Sequence, residues 1–396
     1  MGETLALHGG APVRTTVLPY ARQTVDETDI QAVTEALRSD WLTTGPLVRA
    51  FETAVGSLVE APHAVAVNSG TAALHAAVFA AAIGPGDEVI TSALTFAASA
   101  NAVLYQGGVP VFADIRPDTL NVDPEEVEAR STPRTRAVIP VDFAGQPADL
   151  DALREIARAH DLILIEDAAH ALGASYRGRR VGAIADLTTF SFHPAKLITT
   201  GEGGMVTTSR DDFAARLQRF RNHGLETDFR ERAARGAPYS AMVDLGYNYR
   251  LTDLQSALGL SQLARLEQFL KRRSDIAERY SAALATVPEI SVPRVERDVR
   301  HAWHIFPILL DLDRLAADRG TVLAALRAEN IWATVHYVPV YWHPHYQALG
   351  YRRGLCPRAE SAYERLLTLP LFPSMTDCDV ENVLTALRKV VRHYAR

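Results

Sequence analysis

Between residues 64 and 208, short apolar runs alternate with stretches whose apolar positions recur at helical spacing. The runs at 64–67, 88–91, 109–113, 137–141, 162–165, 187–192 and 205–208 are strand candidates, and Gly84-Pro85-Gly86-Asp87 is a turn ahead of the second. Strands alternating with helices imply a mostly parallel sheet covered by helices on both faces. Ahead of it, residues 1–22 read as an extended arm with Gly9-Gly10 and two prolines, followed by a helix over 26–39 with an acidic first turn and a turn at Gly45-Pro46. Behind it come a helix over 211–222, a loop over 223–242, one long helix over 251–284, a strand in 303–310, and helices over 320–329 and 377–394. The pattern predicts an α/β protein: an arm (1–22), a large domain with a mostly parallel seven-stranded sheet (23–260) and a smaller C-terminal α/β domain (261–396).

Composition narrows the function classes. The 396 residues, 47% hydrophobic and 22% charged, suffice for two cores. A net charge of -6 and a pI near 6.1 give no reason to expect nucleic acid or an anionic membrane as partner. The arginines in Phe229-Arg230-Glu231-Arg232-Ala233-Ala234-Arg235-Gly236 are mixed with acid and glycine and read as a solvated loop, and Lys271-Arg272-Arg273 as a solvated helix face. Two cysteines, Cys356 and Cys378, are too few for a disulfide framework. The start lacks a basic leader pattern, and the apolar run 72–84 is too short to span a bilayer, so a soluble cytoplasmic protein is expected.

Candidate chemistry gathers where strands end. Lys196 sits in Ser191-Phe192-His193-Pro194-Ala195-Lys196-Leu197-Ile198-Thr199-Thr200-Gly201-Glu202-Gly203-Gly204, among small, hydroxyl and glycine neighbours. A lysine amine condenses with a carbonyl to a Schiff base, and pyridoxal phosphate (PLP) is the commonest aldehyde cofactor held that way. Alone, the stretch equally suits a solvated lysine in a turn. Asp167 in Ile165-Glu166-Asp167-Ala168-Ala169-His170 ends the run 162–165, at the sheet edge where α/β proteins bind ligands. A carboxylate there can pair with a protonated pyridine nitrogen, although Asp before Ala-Ala is also a good helix cap. Asn68-Ser69-Gly70-Thr71-Ala72-Ala73-Leu74 opens an Ala-rich helix after a strand, an anion site by its free amides and dipole. Ser191, five residues before the lysine, places a hydroxyl within reach of the same anion. Phe96 is expected to begin the helix after 88–91, and His170, if its segment is helical, shares a side with Asp167; each is otherwise ordinary core. His336-Tyr337 and Trp342-His343-Pro344-His345 have no Cys or carboxylate at ligand spacing, so no metal is expected.

In the order phosphate cup, ring-nitrogen acid, lysine, the chain resembles the DegT/DnrJ/EryC1/StrS family of PLP-dependent sugar aminotransferases. The likeness runs from Ala11-Pro12-Val13-Arg14 through Trp41-Leu42-Thr43-Thr44-Gly45-Pro46, Thr95-Phe96, Gly246-Tyr247-Asn248-Tyr249-Arg250-Leu251-Thr252-Asp253-Leu254-Gln255 and Val335-His336-Tyr337-Val338-Pro339-Val340 to Leu369-Pro370-Leu371-Phe372-Pro373. The resemblance implies the fold of the aspartate-aminotransferase-like, fold type I PLP enzymes. It implies cofactor contacts from Ser69, Gly70, Thr71, Ala72, Phe96 stacking on the ring, Asp167, His170, Ser191, Lys196 and, across a homodimer interface, Asn248, with Lys196 and Asp167 catalytic. Substrate contacts are expected from Tyr20, Thr43, Thr44, Gly45, His336 and Tyr337. Asp142 stands where family members often carry histidine, which leaves its role open. The implied reaction moves an amino group from an amino acid, L-glutamate in most of the family, to a nucleotide-linked keto-sugar at C4. The neighbouring readings are a 3-keto nucleotide sugar or a keto-inositol with L-glutamine as donor. Relatives with histidine for the lysine dehydrate sugars, which Lys196 argues against. A cysteine desulfurase using Cys356, whose neighbour Pro357 opens a helical pattern so that the cysteine reads as structural, and a non-catalytic sensor or scaffold are the remaining alternatives.

Overall fold

The structure is a computed structural model that describes residues 4–227, 232, 234 and 236–396. Most of the arginine-containing stretch 229–236 lies outside the described residues. Nine strands lead the chain order: β1 (His63–Val67), β2 (Glu88–Ser92), β3 (Val109–Ala113), β4 (Thr135–Ile139), β5 (Ile163–Asp167), β6 (Ser175–Tyr176), β7 (Arg179–Arg180), β8 (Leu187–Ser191) and β9 (Gly204–Thr208). All but β6 and β7 join one seven-stranded sheet in the order β1-β9-β8-β5-β4-β2-β3. Only β9 runs against its neighbours, so the sheet is mostly parallel, as the apolar runs predict.

Alternate residues of each strand feed two different cores. Val65, Val67, Val89, Ala137, Ile139 and Ile165 pack with helices Gly70–Ala80 and Asp211–Phe220. Their neighbours Ile90, Val138 and Leu164 pack on the opposite face with helix Leu150–Ala159, and Ala66 and Met205 with helix Pro46–Val59. Burial on both faces explains why the strands read as continuous apolar runs.

A second, antiparallel sheet of three strands is built from Ile290–Ser291, Phe306–Leu310 and Leu366–Leu369. It shares a core with helices Arg319–Ala328 and Asp377–Tyr394, and Leu5 and Leu18 of the N-terminal arm enter that same core. Burying each leucine contributes about 1.5–3 kcal/mol. Buried Glu329 accepts from the amides of Ala6 and Val13 at 2.9 Å and pairs with Lys389, so the arm is docked rather than simply extended.

Two expectations fail here. The stretch 251–284 is two helices, Asp253–Ala264 and Leu266–Leu284, because the backbone leaves helical geometry at Arg265, whose guanidinium pairs with Asp26 and Asp29. Arg273 is not on a solvated face: it is buried, and its Nη1 donates to the carbonyls of Trp303, His304 and Leu371 at 3.0–3.1 Å. Its neighbours Lys271 and Arg272 do face outward, pairing with Asp275 and Asp377.

Candidate active site

The carboxyl ends of β1, β2, β5 and β8 bring together the sequence-predicted cofactor residues other than Asn248. Past β1, Ser69 caps helix Gly70–Ala80, its Oγ accepting from the Ala72 amide at 3.0 Å. The first-turn amides of Gly70 and Thr71 have no partner within the helix. A Cβ on Gly70 would come within 2.7 Å of the Ser191 Cβ, and one on Gly204 would meet the Ser69 carbonyl and the Gly70 amide. Only glycine lets β1, β8 and β9 close into this cup of amides and two serine hydroxyls. That cup suits a phosphate.

At the end of β5, Asp167 is buried and accepts from Ser99 Oγ at 2.7 Å and from the Ala169 amide at 3.2 Å. Burial raises its pKa, while the Ser99 hydrogen bond and the charge of Lys196 pull the other way. No helix follows Asp167: the Ala168 amide donates to Thr189, Ala171 turns back to Ala168, and Gly173 takes a positive φ. His170 therefore reaches the site from a turn, where it is buried and meets Tyr337 Oη at 3.1 Å through Nε2.

Phe96 also departs from expectation. The helix after β2 is Ala98–Tyr105, and Phe96 precedes it in the loop. The residue is 60% exposed, with the Tyr337 ring 6.0 Å from its own, so it is not core. Ser99 within that helix binds Thr95 at 2.9 Å, which fixes the donor that holds Asp167.

Lys196 follows β8. Its head is enclosed beside Asp167 and lies 3.5 Å from His304 Nε2. That enclosure lowers its pKa to about 8, with the Asp167 charge opposing the drop. His170 and His304 are held neutral by burial, their rings 4.3 Å apart, and burial lowers His336 to about 4. Tyr20 meets His336 at 5.2 Å, and Thr368 binds His336 Nδ1 at 3.0 Å. Tyr20, His336 and Tyr337 thus form one wall of the lysine site.

Thr43, Thr44 and Gly45 sit elsewhere. They line a cavity of about 640 Å³ with Arg49, Arg219 and Arg250, and Lys196 and Asp167 do not. Asp253 fixes this turn, accepting from the Gly45 and Leu47 amides at 2.6 and 3.0 Å. Asn248 is exposed, and its backbone bridges Asn222 on the rim of that cavity.

Sequence reading missed Ser99 and His304. The Thr95/Ser99 spacing of one helical turn is a faint signal for the first. His304, one histidine in a strand-like run, carries none.

A model of the DegT/DnrJ/EryC1/StrS aminotransferase family matches residues 23–388. The chain belongs to that family. It is 46% identical over 378 residues to the spore coat polysaccharide biosynthesis protein SpsC of Bacillus subtilis, covering 95% of this chain and 97% of SpsC. Among solved structures, Spr1654 of Streptococcus pneumoniae in its PLP form superposes with a TM-score of 0.89 at 31% identity, covering 95% of this chain and 99% of that one. Helicobacter pylori PseC, an aminotransferase of pseudaminic acid biosynthesis, gives 0.89 at 30% identity, covering 96% and 100%. As a family member the chain is an aminotransferase, and the cup, the buried acid and the enclosed lysine are present together in it. Cys356, by contrast, is buried at the start of helix Pro357–Arg365, with its thiol pushed up to about 12 by burial, which suits packing rather than nucleophilic attack. No helix of the described residues is long and apolar enough to cross a membrane, and they hold no cluster of three or more metal-ligating side chains.

Proposed function

We propose that this PLP-dependent aminotransferase moves an amino group from L-glutamate to C4 of a nucleotide-linked keto-sugar. The observation that carries the reading is the Lys196 amine, enclosed and partly uncharged near neutral pH, facing Asp167 at the edge where β1, β5 and β8 end. The residues fit the cofactor: Ser69, Gly70, Thr71, Ala72 and Ser191 would hold its phosphate, Phe96 would cover its ring, and His170 would lie beside it. When bound, PLP supplies an electron sink for the carbon that carries the transferred amine. Asp167 offers a carboxylate to the ring nitrogen, and Ser99 keeps that carboxylate aimed. Lys196 both anchors the cofactor and, once free, accepts and returns the proton moved between carbons, for which a pKa near the working pH is favourable. Tyr20, His336 and Tyr337 form the sugar-facing wall.

The nucleotide-linked substrate is supported by the arginine-lined cavity at Thr43 and Thr44, where Arg49 and Arg250 form no ion pair among the described residues. A homodimer with shared sites is supported by Tyr239, Met242, Val243, Leu245 and Tyr247, exposed apolar side chains that lead directly to Asn248. In that dimer Asn248 serves the partner's phosphate. The free cysteines and the acidic charge suit a cytoplasmic enzyme. The experiment is a panel of 4-keto and 3-keto nucleotide sugars and keto-inositols, each assayed with L-glutamate and L-glutamine. Turnover confined to a keto-inositol with L-glutamine would overturn the substrate assignment.

A further inference from the structure

Behind Asp167, on the far side of β5, lies a second pair of acids. Glu166 points to the opposite face of the strand from Asp167, and its Oε2 accepts from Thr188 Oγ1 on β8 at 2.8 Å. Asp142, just past β4, is fully buried, and its Oδ1 accepts from the Ala148 amide at 3.0 Å. The remaining oxygens, Asp142 Oδ2 and Glu166 Oε1, are buried with no donor, although the two carboxyls lie within hydrogen-bond reach of each other. Two carboxylates cannot both stay ionised there. One proton between them satisfies both orphaned oxygens.

We propose that Asp142 and Glu166 share one proton and act as a positioning pair for Asp167, limiting the negative charge stacked behind it. The link is short: the Asp142 amide donates to the Asp167 carbonyl at 3.1 Å, and Asp167 donates back to Pro140 at 2.9 Å. The groups that face the pair are the Thr188 hydroxyl on β8, the Gly182 amide and Arg179 guanidinium from the segment after β6, and Asp167 itself. Burial and the neighbouring Glu166 charge raise Asp142 well above the carboxylate range, and burial raises Glu166 to about 7. The pair therefore keeps a proton between its two carboxyls. Ionisation of the pair adds a charge next to Asp167, and Asp167 then holds a ring-nitrogen proton more tightly.

The positioning role rests on the reading of Asp167 given above; the shared proton does not. Infrared spectra of the full-length protein at neutral pH should show a protonated carboxyl band that shifts in D2O, diminished by one carboxyl in Asp142→Asn and in Glu166→Gln. No such band in the wild type, or one unchanged in both variants, would overturn the shared proton. The kcat profile of each folded variant should move by about one pH unit or more with KM for the keto-sugar little changed, since strongly interacting sites titrate as a pair. Profiles identical to wild type would overturn the positioning role. Near-normal turnover in Asp167→Asn would instead remove the reading of Asp167 and leave the infrared result standing.

Discussion

At the scale of single residues the proposed chemistry rests on Lys196, just past β8, and Asp167, at the end of β5. Lys196 is useful because protein surrounds its amine and because His304 offers a neutral nitrogen to it. Amine-specific labelling of Lys196 in the cofactor-free protein should therefore follow a midpoint near 8, below the ordinary lysine value of 10.5. Asp167→Asn should retain fold and lose about 10²–10⁴-fold in kcat, the usual range for a group that controls proton transfer; near-normal kcat would remove that role. Cys356→Ser should leave turnover intact, measured in the same assay. Asp167 and Ser191 were legible because each closes an apolar run, whose end marks the ligand-binding edge, and Lys196 because it follows such a run among small, hydroxyl and glycine neighbours. Ser99 and His304 were not, because a hydroxyl in an Ala-rich helix and a histidine just ahead of a buried strand look like packing until the fold sets them beside Asp167 and Lys196.

The elements hold those residues by close approach of backbone. β9 can lie against the start of helix Gly70–Ala80 only because Gly204 has no Cβ. Gly204→Ala should cost about 1–3 kcal/mol, as overpacking does, and should weaken PLP binding, measured by thermal melting with and without cofactor. A variant that binds PLP as tightly as wild type would show that the cup is not the phosphate site. Strands were easy to read because both faces are buried and the runs are continuous. Helix limits were harder. The break falls at Arg265, which pairs with Asp26 and Asp29 more than 200 residues away in sequence, and no local breaker announces it. Arg273 reads as one of three cations in a row, yet three backbone carbonyls converge on it only in the folded chain.

For the molecule as a whole, two cores are joined by helix Leu266–Leu284, whose first turns pack with the large sheet and whose last turns pack with the small one. The arm closes over the second core, and Glu329→Ala, which strands Lys389 and two amides, should lower stability by about 3–5 kcal/mol in denaturant unfolding. Stability should also depend on pH through Glu166. A carboxyl raised from 4.5 to about 7 keeps its proton in the folded chain while the unfolded chain has lost it, so its contribution falls as pH rises across that window. In Glu166→Gln the decline between those values should flatten. If the sites are shared, mixing Lys196→Ala with Asn248→Ala chains should restore part of the activity that each lacks alone. The most direct test of the central claim is the visible absorbance of the purified protein supplied with PLP, in wild type and in Lys196→Ala. The account predicts a lysine-dependent band in the wild type that fades with L-glutamate and returns with a nucleotide keto-sugar. The same band in Lys196→Ala, or none in the wild type with PLP in excess, would contradict it.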